Sequence, residues 1–173
     1  MSASKEILQT ARAIIERDWT KRAHMRVKED PSKIESRAMS YLLDFEFNED
    51  KPVGFRILRR NECSDWISCT LEEVEKYAST CSFCLDGAVM TSVFIFARKM
   101  KLADTEARLI FYGLKNNLQS NATSVPEISQ LKQEYSGCSL PLNLDSIPAI
   151  NDHPAVTKEM VLAIIDKTIE LSN

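Results

Sequence analysis

Cys84, His153 and the nearby acids Asp152 and Asp86 are the side chains from which this sequence can assemble a catalytic set. A cysteine at the start of a helix feels the positive end of the backbone dipole, which favours the thiolate. A histidine beside an aspartate can take the thiol proton, so the set would suit acyl transfer through a thioester. Packing explains the same residues more simply. Cysteine is among the most buried residue types, and Phe83-Cys84-Leu85 followed by Gly87-Ala88 reads as a helix closely approached by its neighbours.

Cys81 and Cys84 also form a CxxC pair, which suggests a redox couple or half of a zinc site. Neither context is present. A thioredoxin-like pair follows a strand of a βαβ unit, and a structural zinc site needs a second closely spaced pair, whereas Cys63 and Cys69 are spaced differently. The expectation is no metal and no cofactor. The four glycines are too dispersed for a phosphate-cradling loop.

Asp86 is the least ordinary residue of its segment. A carboxylate in an apolar helix is costly unless it faces water near the helix start or meets a cation or a donor such as the Trp19 indole N–H or Asn151. Asn151 and Asp152 fit an Asx turn leading into Pro154, and alternatively present an amide and an acid beside the central helix. Trp19 reads as a core anchor with its N–H bonded, and as a ligand platform in the alternative. If the region binds anything, Trp19, Asp86, Asn151 and Asp152 are the candidate binding residues.

These positions must be held by helices. Ile7, Leu8, Ala11, Ile14 and Ile15 recur on one helical face after Ser4, an expected N-cap, and this helix closes near Trp19. A second helix is expected over residues 32–43, behind Pro31. From Asp44 to Cys69 the texture changes: Phe45 and Phe47 alternate with acids, residues 48–52 read as a turn, and Val53 to Leu58 favour strand. A small β-hairpin is expected there, buried through Phe45, Phe47, Phe55 and Ile57.

Thr70 and Glu73 make a capping box for a helix to about Ser79. Residues 82–100 are apolar on nearly every face, the pattern of a helix buried by its neighbours. Asp104 or Thr105 is expected to cap a helix reaching about Gln119. Residues up to Pro154 then read largely as loop, with a helical turn or two over 127–135, because prolines interrupt them. Thr157 caps the last helix.

Composition narrows the function classes. The 173 residues, 44% hydrophobic and 27% charged, fit one packed domain spanning 1–173. A net charge of -3 offers no broad field for nucleic acid, and Arg12, Arg17, Lys21, Arg22, Arg26 and Lys28 are interrupted by acids. The longest apolar run, residues 88–97, is short of the roughly twenty residues a membrane span requires. The opening residues lack the apolar core of a signal peptide, and five cysteines are an odd number, so a cytoplasmic chain with free thiols is expected. Translocation into a host cell would alter location only.

Three patterns in order carry a resemblance: Trp19 closing the first helix, Phe83-Cys84-Leu85-Asp86-Gly87-Ala88 opening the central one, and Asn151-Asp152 ahead of the final amphipathic helix. Together they resemble the bacterial and phage proteins grouped as domain of unknown function 6197. Asp86 stands where that family usually has an apolar residue, and Arg22 where a glycine often follows. The resemblance implies a shared fold and three candidate positions, and no activity.

The sequence thus predicts a mainly α, single-domain helical bundle with a β-hairpin insertion at about residues 44–69. Its leading function is a non-catalytic binding or protein-interaction module, with a protein or small molecule as partner. The alternative is a cysteine-dependent hydrolase or transferase using Cys84 with His153 and Asp152.

Overall fold

A computed structural model describes residues 2–21, 25–26, 41–46, 54–59, 67–68, 71–136 and 144–172. Helices dominate them. The first, α1 (Ala3–Arg17), buries the stripe Ile7, Leu8, Ala11, Ile14 and Ile15, and Ser2 rather than Ser4 caps it by accepting from the Lys5 amide. Asp18 turns extended and ends the helix.

The chain then enters a sheet. Strands β1 (Met25–Arg26), β2 (Tyr41–Glu46), β3 (Gly54–Arg59), β4 (Ile67–Ser68) and β5 (Ser82–Phe83) lie in the order β4-β3-β2-β1-β5. All four pairings are antiparallel. The expected hairpin is β2–β3, with Phe45 paired to Phe55 and Leu43 to Ile57. Phe47 and the expected turn at 48–52 lie outside the described residues.

Three expectations are corrected here. Tyr41, Leu42 and Leu43 are strand rather than the end of a helix, since the alternation Tyr41, Leu43, Phe45 runs back from the hairpin and β3 pairs along its whole length. The rest of that expected helix lies outside the described residues. Strands also occur beyond 44–69, because β5 precedes the central helix and pairs with β1. The central helix therefore starts at Leu85 rather than Ser82.

Helix α2 (Leu71–Thr80) falls where the capping box placed one, although Thr70 itself lies outside the described residues. Helix α3 (Leu85–Met100) is buried along most of its length and packs on both α1 and α2. It ends at Lys101, whose φ of 56° is the single positive value among the described non-glycine residues. Helix α4 (Asp104–Ala122) starts after Ala103, whose amide donates to Glu106 at 2.9 Å.

The region expected to be largely loop contains α5 (Pro126–Glu134) and α6 (Ile147–Asp152). Pro126 and Pro148 sit in first turns, where a missing N–H costs nothing and the fixed φ suits a helix, so they start these helices rather than break them. Thr157 caps α7 (Lys158–Leu171) by accepting from the Met160 amide, as the sequence predicts. Helix α3 touches α1, α2, α4 and α6, and α7 closes over α1 and α4. The buried apolar side chains of these helices form one core, where each fully buried Leu or Ile contributes about 1.5–3 kcal/mol.

Candidate functional site

The three motif segments meet. Asp18 and Thr20 flank Trp19 and bond the β5 backbone: the Phe83 amide donates to the Asp18 carbonyl at 3.3 Å, and the Thr20 amide to the Phe83 carbonyl at 3.0 Å. Trp19 is thereby clamped against Phe83, one residue before Cys84.

Asn151, at the end of α6, is fully buried and joins the other two segments. Its Oδ1 accepts from the Trp19 indole N–H at 2.8 Å and from the Leu85 amide at 3.1 Å. Its Nδ2 donates to the Thr20 carbonyl at 3.2 Å and to Asp152 Oδ1 at 3.0 Å. Both amide hydrogens and both oxygen lone pairs are matched, which is the full capacity of an asparagine side chain. The Leu85 amide is one of the first-turn donors of α3 that the helix itself leaves unpaired, so Asn151 also completes the start of the central helix. Asn151 commits its side chain to this long-range tie rather than to a local Asx turn.

Cys84 is the N-cap of α3. Its Sγ accepts from the Gly87 amide at 3.3 Å. Burial pushes the thiol up to about 12, the carboxylates of Asp86 and Asp152 add to the rise, and the Gly87 amide opposes it. The dipole effect expected at a helix start is outweighed by desolvation and by these two negative neighbours.

His153 is also buried, yet faces elsewhere. Its Nδ1 accepts from the Ala155 amide at 3.2 Å, and its ring stands edge-on to Tyr135 with centroids 4.7 Å apart. Among the described residues its Nε2 has no hydrogen-bond partner. The Lys21 ammonium donates to the His153 carbonyl at 2.7 Å and to the Pro154 carbonyl at 3.2 Å, and lies 5.2 Å from the centre of the Trp19 ring. Desolvation, then the Lys21 charge, lowers the imidazole pKa. No hydrogen bond joins Cys84 to His153 among the described residues.

Asp86 meets Lys115 of α4, whose ammonium lies 3.0 Å from each carboxylate oxygen and 5.7 Å from the centre of the Phe111 ring. Of the alternatives the sequence leaves open for Asp86, the structure supplies a cation, but Lys115 carries no signal of its own. Lys21 was likewise missed as a site residue; its closeness to Trp19 in sequence is the one cue.

Cys81 and Cys84 are free thiols separated by the extended residues of β5. Three extended steps span about 10 Å, beyond the separation of roughly 7 Å at which a disulfide can close. Cys63, Cys69 and Cys138 lie outside the described residues. Among the described residues no three His, Cys, Asp or Glu side chains form a metal-binding group, and no helix is long and apolar enough to cross a membrane. Two of the basic residues near α1 are engaged internally: Arg12 bonds Asp166 at 2.6 Å and Glu16 at 2.9 Å, and Arg17 bonds the Ala78 and Cys81 carbonyls, while Arg22 and Lys28 lie outside the described residues. An open groove of about 330 Å³ lies between α1 and α2 over α3, floored by Ile7 and Ile95, and none of the motif residues lines it.

The arrangement defines a class of protein: a helical fold with an antiparallel sheet, tied at one end by a polar knot between the half-buried Trp19 and the buried Asn151. The profile of a family of unknown function, DUF6197, matches residues 1–171, and the chain belongs to that family. No curated protein and no solved structure matches it.

Proposed function

We propose that this protein is a non-catalytic binding or protein-interaction module acting in the cytoplasm, with a protein or small molecule as partner and without nucleic acid or membrane. One observation carries the reading: the best nucleophile and the best base are each engaged by a backbone amide of their own segment. Cys84 Sγ receives the Gly87 amide and His153 Nδ1 receives the Ala155 amide. At neutral pH a thiol pushed up to about 12 is overwhelmingly protonated. The polar groups of Asn151 are matched within the chain, so they favour a structural role over ligand capture.

The test is native thiol labelling with iodoacetamide, read by peptide mapping, together with in-cell cross-linking of the full chain. Cys84 should stay unlabelled until the chain unfolds, and Cys84→Ala should recover the same cross-linked partner as the wild type. Rapid labelling of Cys84 at neutral pH that is lost in His153→Asn would overturn the reading in favour of the cysteine hydrolase or transferase.

A further inference from the structure

His153 is placed where a change of protonation cannot be absorbed locally. Nδ1 acts as an acceptor, so the neutral ring carries its proton on Nε2. The residue is also the C-cap of α6, its own amide donating to the Ala149 carbonyl at 3.0 Å, while the Val156 amide donates to the His153 carbonyl at 3.1 Å. The α6–α7 connection is thus wound around one buried imidazole. Lys21 grips the same turn by two carbonyls.

We propose that His153 is an acid-sensitive latch: a proton taken from solvent onto Nδ1 displaces the Ala155 amide, expels the ring and opens the connection between α6 and α7. The event has two physical drivers. An N–H at Nδ1 would oppose the Ala155 N–H head on, and the buried ring, now a donor at both nitrogens, would find no protein acceptor among the described residues. The new positive charge would also be buried beside Lys21.

The charged and titratable groups around the ring do not relieve it. Lys21, from the segment after α1, is of like sign. Tyr135, at the end of α5, offers its ring. On α6, Asp152 has Oδ1 bonded to Asn151, and on α7, Lys158 is turned to the Glu16 carbonyl. Asn151 precedes His153 closely in sequence, so opening the turn loosens the tie to Trp19 and Leu85 as well.

The direction of the pH effect follows. Burial and Lys21 hold the folded imidazole below its ordinary value near 6.5, so the unfolded or opened chain binds the proton first. The closed turn is fully favoured above pH 6.5, and its advantage falls as the pH drops toward the folded value. Protection factors of the residue 147–157 amides, corrected for intrinsic exchange, should fall severalfold between pH 7.5 and 5 in the wild-type chain. His153→Asn, which keeps a side-chain acceptor without a titrating ring, should lose that dependence. Nitrogen NMR of the wild-type ring supplies an independent reading: Nε2–H at neutral pH, and a titration midpoint that coincides with the opening. Unchanged protection down to pH 5, or the same acid opening in a folded His153→Asn variant, would overturn the proposal. So would a ring that titrates while the turn stays protected.

Discussion

The indole N–H of Trp19 and the amide oxygen of Asn151 are 2.8 Å apart, although 132 positions separate them in the chain. This bond fastens the connection before α7 to the segment that leaves α1. It shares its acceptor with the first turn of α3, so one side chain stabilises three parts of the chain together.

Asn151→Ala should therefore be among the more destabilising single substitutions. It leaves the Trp19 N–H, the Leu85 amide and the Thr20 carbonyl without a protein partner, at about 1–3 kcal/mol for each group that stays buried. Asp152→Ala removes one acceptor from a half-buried side chain and should cost about 1 kcal/mol. Urea denaturation measures both. Wild-type stability combined with lost partner binding would instead place Asn151 and Asp152 in a binding site.

The Asp86–Lys115 pair should respond asymmetrically. The Asp86 side chain is 7% exposed and that of Lys115 is 26% exposed, so a lysine without its partner can swing into water more readily than the aspartate can. Lys115→Met should cost about 3 kcal/mol by leaving a buried carboxylate, and Asp86→Asn should cost less. A double-mutant cycle in denaturant gives the coupling, and equal costs for the two single changes would contradict the asymmetry.

Gly113 lies on the exposed side of α4, and a Cβ built there meets nothing within 4 Å. Glycine inside a helix is less favourable than alanine by about 1 kcal/mol through the backbone entropy it loses. Gly113→Ala should raise the melting temperature by about 2–4 °C, which calorimetry resolves. A fall would contradict the open surroundings of this position.

Periodicity made α1, α3 and α7 legible, because each carries a stripe or a full surface of apolar residues and α7 has a side-chain cap at Thr157. The hairpin was legible from its alternation. Strands β1 and β5 were not, since two-residue strands have no period and exist only through their partners. Prolines misled the reading of residues 120–154: Pro126 and Pro148 are equally compatible with a break and with a first turn, and the local sequence does not separate the two.

The order Trp19, Cys84, Asn151 and the demand of Asp86 for water, a cation or a donor are properties of the sequence alone, because they rest on residue types and on the cost of an unpaired buried charge. Which partners satisfy those demands was decided by tertiary structure. Asn151 bonds Trp19 and Leu85 rather than its own turn, Asp86 takes Lys115 of α4, and Cys84 and His153 are engaged by separate backbone amides. Hydrogen bonds and ion pairs are satisfied by proximity in space, and packing around α3 determines which groups come within reach.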